Sequence, residues 1–391
     1  MRERSIIHIN VADFAVAVER SIDSRLRHRP VIVAPAAAAR ASVYDMSEEA
    51  YRSGVRKEMP LARAQRRCPD AAVLAPHPDR YEHATAVMLR HAMRYSPRIE
   101  ITDCKGHLYI DATGSNRLFG PPQDVAERIR RAVRNELGVA PIWTVAVNKL
   151  VAKTASRIVK PDGEYLVHPG EESAFLAPLP LHLIPGIDPQ TLFRLREFNL
   201  DRAGQVAGLT TEQLAAVLGR RALALFEAVR GIDRSPVLPA GGSSQPVRVE
   251  HVLAEDSNEV EIVEGALFRL VEQAGARLRR HRRAARQVGL ILDHSDGGRA
   301  VRQAALRPPA ADDIGLFAAA RTVLQRAWFR RVRIRRLELT CGRLTEPPAQ
   351  RALFAAEEAQ RRDRENLMNA IDTVRRRFGD NALQTGRTLA I

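Results

Sequence analysis

Residues Leu238 to Gln245, LPAGGSSQ, join proline, glycine and serine between two regions of regular apolar patterning. Such a segment offers neither a helical stripe nor a strand alternation, so it links bodies rather than joining a core. The chain of 391 residues therefore divides here. Length agrees, because a single hydrophobic core rarely grows beyond about 250–300 residues. Apolar residues make up 45% of the chain, enough for ordinary cores without disulfide or metal staples.

Ahead of the linker, strands and helices mix as in an α+β domain. Ser5 to Val11 reads as a strand, followed by Phe14, Val18 and Ile22 at helical spacing. Pro30 to Pro35 is a second strand, and Met46 to Cys68 two short helices broken at Gly54 and Pro60. A helix over Arg80 to Arg94, a strand pair over Arg98 to Thr113, a helix over Pro122 to Leu137 and a strand over Ile142 to Val147 follow. From Pro178 to Arg234, tight turns such as LIPGIDP separate short helices and predict a small helical domain. Beyond the linker, the order strand, long helix, two strands, long helix, strand between Val247 and Thr345 predicts a four-stranded sheet backed by two helices. In the tail, Leu367, Ile371, Val374 and Phe378 repeat at helical spacing up to Gly379, a pattern read as a docked helix burying that stripe.

The formal net charge is +15, with arginine supplying most of the excess. A planar guanidinium fork suits phosphate geometry, so a nucleic acid is the expected partner. Cys68, Cys104 and Cys341 are far apart and show no paired zinc or redox spacing. The opening MRERSIIHINVADF lacks the apolar run and cleavage site of a signal peptide, and no apolar run reaches membrane-spanning length. A cytoplasmic, nucleoid-associated protein with no membrane partner is the expectation.

Several strings occur in a fixed order: IIHINVADFAVAVE, SGVRKEMPLARAQRRCP, RIEITDCKGHLYIDATG, VAVNKLVAKTASRIVKPDGEY, LPLHLIPGIDPQTLFRL and FEAVRGIDRSPV. None is specific alone, but their collinear order resembles the Y-family (DinB/UmuC-like) translesion DNA polymerases over nearly the whole chain. The resemblance implies a right-hand α+β architecture. Palm would occupy 1–24 and 76–165, fingers 25–75, a helical thumb with a helix-hairpin-helix 166–236, a linker 237–246, a little finger 247–346, and a tail 347–391.

It also implies a two-magnesium site built from one aspartate of the first strand and an adjacent aspartate and glutamate of the palm hairpin. Those positions fall on Asn10, Gly106 and His107, with one inserted residue after Glu100. Asparagine offers a neutral carbonyl, glycine no side chain, and imidazole suits transition metals better than magnesium. Asp103 and Asp111 are the residual carboxylates, while Asp13, three positions past Asn10, is expected to point elsewhere. In the fingers, the tyrosine and arginine that contact the triphosphate in the family fall on Glu48 and Tyr51, and the bulky ribose-excluding residue on Ala15. Lys160 alone matches a triphosphate contact.

The hairpin Ile184 to Ile187 resembles a phosphate-binding turn, with Gly186 and Ile187 as its DNA contacts and Asp188 before Pro189 as a helix N-cap. Arg277, Arg279, Arg280 and Arg283 crowd one helix end, and Arg331, Arg333 and Arg335 fall on one side of RVRIRRLEL, where strand alternation predicts a phosphate track. Gln350, Leu353 and Phe354 match the bacterial sliding-clamp pentapeptide.

The expectation is a non-catalytic homologue resembling the ImuB-type accessory branch and needing no cofactor. It would bind primer-template or damaged DNA and the β sliding clamp, and assist an error-prone replicative-type polymerase together with a RecA-like protein. Two alternatives stand beside it. One is an active error-prone DNA-directed DNA polymerase using magnesium on displaced ligands; the other is a purely structural DNA-binding protein.

Overall fold

The computed structural model describes residues 4–35, 41–102, 106–239, 246–347, 355–379, 382–383 and 385–386. Two compact units, Met1–Ser243 and Ser244–Ile391, meet within the linker segment.

The strands are β1 (Ile6–Asn10), β2 (Val31–Val33), β3 (Asp45–Met46), β4 (Ala72–Leu74), β5 (Ile99–Thr102), β6 (His107–Asp111), β7 (Ile142–Ala146) and β8 (Glu164–Leu166) in the first unit, and β9 (Val247–Ser257), β10 (Ala285–His294), β11 (Arg299–Ala310) and β12 (Ile334–Gly342) in the second. A five-stranded sheet runs β5-β6-β1-β7-β8. At its centre β1 is antiparallel to both β6 and β7, which is why all five of its residues are buried.

Strand alternation then divides the two faces of this sheet. Ile7, Ile9, Leu108 and Ile110 join the main core with residues of the helices Phe14–Ile22, Pro78–Ala92 and Pro122–Leu137. The opposite face carries Ile6, His8 and Asn10, placed opposite Asp111, Tyr109 and His107 of β6. On β1 and β6, Ile7, Ile9, Leu108 and Ile110 thus share one face, while the other gathers His8, Asn10, His107 and Tyr109 beside Ile6.

A smaller sheet, β3-β2-β4, is packed by the short helices Glu48–Arg52 and Leu61–Arg67 through Ile32, Ala50, Val55, Leu61 and Ala64. Ser47 caps the first of these helices by accepting from the Ala50 N–H. The helices from Pro189 to Val229 gather Leu195, Val206, Leu214 and Leu225 into a third core.

In the second unit the antiparallel sheet runs β11-β10-β12-β9, backed by the helices Val260–Arg280 and Asp313–Ala327. Leu290, Leu292, Leu337 and Leu339 meet Leu267, Leu270, Leu316 and Val323 in its core. The helix Ala355–Phe378 lies against this unit, but only in part by the predicted stripe. Ile371 and Val374 are half-buried, whereas Leu367 and Phe378 are exposed. The anchors are Met368, which is buried, and two ion pairs, Asp372 with Arg279 at 2.7 Å and Arg375 with Glu272 at 2.8 Å.

Candidate active-site cleft and nucleic-acid surface

Asn10 ends β1 directly opposite His107, and the Val11 N–H donates to the Gly106 carbonyl at 3.0 Å. The three positions singled out from the sequence are therefore neighbours in space. Asn10 is fully buried, and among the described residues neither its Oδ1 nor its Nδ2 finds a hydrogen-bond partner. His8, two residues back on the same face, stacks on the Tyr109 ring at 4.6 Å and on His107 at 5.4 Å, and its Nε2 lies 3.3 Å from His107 Nδ1. Burial, reinforced by Lys160 and Lys153, pushes His107 down to about 3; burial and then His107 push His8 well below the ordinary histidine range. Both rings are neutral at pH 7.

Gly106 has φ +72°, in the region that favours glycine, and a Cβ built there would lie 2.5 Å from Phe14 Cδ2. No larger residue fits this turn unless Phe14 moves.

Above the sheet opens a cleft of about 430 Å³, lined by residues that include Asp13, Ala15, Tyr44, Asp45, Glu48, Tyr51, Lys57, His107, Arg157 and Lys160. Ala15, Glu48, Tyr51, His107 and Lys160, chosen from separate strings, are thus brought together. Each is positioned locally. Glu48 opens its short helix and pairs with Arg52 at 3.0 Å, one turn on. Tyr51 carries the Arg56 guanidinium 3.9 Å above its ring centroid. Lys160 is held below its ordinary pKa by burial, with Asp13 acting against the shift.

One expectation is corrected here. Asp13 does not point away: it takes a left-handed conformation, φ 46°, at the start of the helix Phe14–Ile22, and lines the cleft. Burial, then the neighbouring Asp45, raises it to about 6. Asp45, Lys57 and Arg157 were not singled out from the sequence. Asp45 is buried, accepts from the Ala15 N–H at 2.9 Å and pairs with Lys57 at 2.8 Å. Its place in a two-residue strand gives no periodic signal, although Lys57 lies inside the SGVRKEMP string.

Asp111 is also corrected. It sits at the far end of β6 opposite Ile6, accepts from the Thr113 N–H at 3.0 Å and lies 3.7 Å from Arg98, so it belongs to the hairpin's other end. Asp103 lies outside the described residues.

Magnesium, which the family implies, asks for clustered carboxylate oxygens. Among the described residues no group of three or more His, Cys, Asp and Glu is arranged to hold a metal ion. Asn10 presents a neutral amide, and Glu100, on the same sheet face as His8, is held by Lys149 at 2.9 Å and by the Leu238 N–H at 3.0 Å. The described residues do not fit a magnesium pair.

In the helical region Gly186 has φ +86° and is exposed, whereas Ile187 packs against the core, so only its main chain is available to a ligand. Asp188 is the N-cap, accepting from the Thr191 N–H at 3.1 Å and from its hydroxyl at 2.7 Å, and it pairs with Arg221 at 2.9 Å.

The second unit revises the arginine set. Arg279 is turned inward, 13% exposed, between Asp313 at 2.7 Å and Asp372 at 2.7 Å; it holds helices together and does not face a phosphate. Arg277 and Arg280 are exposed at the helix end, with Arg277 donating to the Arg248 carbonyl, and Arg283 is half-buried. β12 begins only at Ile334, and a bulge between Ile334 and Arg336 breaks the alternation. Arg331 and Arg333 therefore precede the strand as exposed residues, and Arg335 lies 3.3 Å from Asp256. No uninterrupted arginine track forms on the sheet. Gln350, Leu353 and Phe354 lie outside the described residues.

A family model described as the impB/mucB/samB family matches residues 9–157, and one for the C-terminal domain of that family matches residues 244–353. The chain belongs to this family of Y-family DNA polymerases. DNA polymerase IV from Halorhodospira halophila is 35% identical over 296 residues, covering 76% of this chain and 83% of that protein. DNA polymerase IV from Desulfatibacillum aliphaticivorans is 30% identical over 388 residues, covering 98% and 96%. Among solved structures, a Y-family DNA polymerase chimera, Dbh-Dpo4(243-245)-Dbh, matches with a TM-score of 0.75 at 19% identity, over 88% of this chain and 100% of that one. DinB from Sulfolobus solfataricus matches with a TM-score of 0.63 at 20% identity over the same shares. These structures share the Y-family fold. Among the described residues no helix is long and apolar enough to cross a membrane.

Proposed function

We propose that this Y-family homologue binds primer-template or damaged DNA without catalysing nucleotide addition, and assists translesion synthesis by another polymerase. The observation that carries the reading is Asn10: buried, without a hydrogen-bond partner among the described residues, and facing His107 at the end of the central strand. A metal-dependent polymerase needs negative charge there to hold two cations against a triphosphate. Lys160 and Arg157 line the cleft with Asp13, Asp45 and Glu48, yet among the described residues no three acids, His or Cys are grouped to hold a metal ion.

DNA binding is supported by kinship with DNA polymerase IV and by the exposed Arg277, Arg280, Arg331 and Arg333. Binding of the sliding clamp through Gln350, Leu353 and Phe354 is proposed from their sequence alone, as are the error-prone replicative-type polymerase and RecA-like partners.

A second reading, an active DNA-directed DNA polymerase, is favoured by the naming of both relatives as DNA polymerase IV and by Asp13 in the cleft. Primer extension with magnesium or manganese separates the two. The non-catalytic reading expects no templated incorporation alongside retained DNA binding; incorporation abolished by Asp13→Asn or Asp103→Asn would overturn it.

A further inference from the structure

Several arginines on or beside the sheet of the second unit are already matched by acids. Arg299 and Arg336 share Asp293, Arg330 pairs with Asp296, and Arg335 with Asp256. Arg286, Arg307 and Arg343 differ: they line one concavity of about 450 Å³ with Ala305, Leu306, Leu344 and Thr345, and no acid is among the described residues that line it. Among the described residues none of the three makes an ion pair.

Their backbone positions are distinctive. Arg286 stands alone between Ala285 and Gln287 of β10, whereas β11 runs from Ala310 to Ala305 over the same step, so the extra residues, Arg307 among them, lie on β11 opposite Arg286; such an irregularity commonly re-aims a side chain. Arg343 follows β12 with φ 51°, a left-handed conformation that costs an arginine free energy. The adjacent bridge between Ala284 and Thr345, closed by hydrogen bonds of 2.8 and 2.9 Å, fixes both chain segments at this end of the sheet.

From this arrangement we infer that Arg286, Arg307 and Arg343 form a binding site for a multiply charged phosphate group, either a terminal phosphate monoester or a pyrophosphate moiety. Guanidinium stays protonated at every physiological pH, so the concavity holds three fixed positive charges. A backbone phosphodiester carries one negative charge, whereas a terminal phosphate carries about −1.5 to −2 and a diphosphate more. The compact shape and the charge therefore suit a phosphate end better than a continuous strand. That chemistry has two sources, the 5′-phosphate of a DNA end and a free nucleotide polyphosphate.

The test uses the full chain in calorimetric titrations with pyrophosphate, and with a blunt duplex bearing either a 5′-phosphate or a 5′-hydroxyl. Arg286→Gln and Arg307→Gln are each expected to weaken pyrophosphate binding about tenfold, the loss of one charge-assisted bidentate contact. The triple variant with Arg343→Asn, which tolerates the left-handed backbone, is expected to remove it. Arg331→Gln with Arg333→Gln should leave pyrophosphate binding unchanged. A 5′-phosphate advantage that disappears in the triple variant identifies a DNA end as the ligand; pyrophosphate binding without that advantage identifies a free polyphosphate. The proposal fails if the wild-type chain shows neither response, or if binding persists in a triple variant whose circular dichroism is unchanged. Should the triple variant unfold, the double Arg286→Gln, Arg307→Gln variant decides in the same way.

Discussion

Asn10 and His107 are cross-strand partners on β1 and β6, and the asparagine amide is buried there with neither polar atom hydrogen bonded among the described residues. A buried amide without partners costs about 1–3 kcal/mol, a penalty that an apolar residue of similar size avoids. Asn10→Leu is therefore expected to match or exceed the wild-type stability, with the urea midpoint unchanged or raised. Asn10→Asp places a carboxylate in the same enclosure and is expected to lower stability by at least about 1–3 kcal/mol. A midpoint that falls for Asn10→Leu as far as for Asn10→Asp would show that the amide has a polar partner in solution.

Stability should respond to pH in two opposed ways. His107, depressed to about 3 when folded, takes up protons in the unfolded chain first, so stability falls as pH drops from the ordinary value of 6.5 towards 3. His107→Gln is expected to flatten that decline by about 1–3 kcal/mol between roughly pH 6.5 and pH 4.5. Asp13, raised from 3.8 to about 6, does the reverse: the folded state holds its proton more tightly, so its contribution is full below pH 3.8 and is lost as pH rises to about 6. Asp13→Asn should stabilise the chain near pH 7 by about 1 kcal/mol after allowance for solvent screening, with no gain below pH 3.8. Denaturant titrations across pH 3.5 to 7.5 separate the two slopes.

The outline of the fold was legible because its signals are local. LPAGGSSQ lacks any periodicity, and the Pro122–Leu137 helix carries its whole apolar stripe in sequence. Asn10, Gly106 and His107 could be picked out because strand pairing brings short, recognisable strings into register. Three things were not legible. The helix start at Asp13 depends on a single left-handed residue, which no period reveals. Asp45 owes its place to the Lys57 pair, a contact across twelve residues. Arg279 looks like its exposed neighbours because a helix end shows in sequence as a run of charge; Asp313 and the Asp372 of the Ala355–Phe378 helix, both distant in sequence, turn it inward.

That inward arginine gives the third prediction. Arg279 joins the helix Val260–Arg280 to Asp313 and Asp372, and the pair raises its affinity for the proton while burial acts against it. Removing one partner of a buried pair leaves charges without compensation and costs about 3–5 kcal/mol. Arg279→Ala is expected to lower the unfolding midpoint by that order and to make the Ala355–Phe378 helix an early site of limited proteolysis. Asp372→Asn should release the helix with a smaller effect on the sheet, since Asp313 still holds the guanidinium. Equal loss of DNA affinity in Arg279→Ala and Arg331→Gln, both still folded, would return Arg279 to the DNA surface.

The exposed arginines before β12 should behave differently. Arg331 and Arg333 stand outside the ion-pair network of the sheet, so replacing them removes little packing and few internal contacts. Each phosphate they neutralise releases about 0.9 of a counterion, which makes affinity fall with salt in proportion to the contacts made. Arg331→Gln and Arg333→Gln are each expected to weaken duplex binding roughly fivefold to tenfold at about 0.1 M salt and to lower the slope of log K against log salt by about one. The loss should be uniform across sequences, because backbone contacts carry no base information. Thermal midpoints should move by less than about 1 °C, whereas the Arg279→Ala variant moves strongly. An unchanged salt slope in both arginine variants would place the DNA surface elsewhere on the second unit, with Arg277 and Arg280 at the helix end as the next residues to replace.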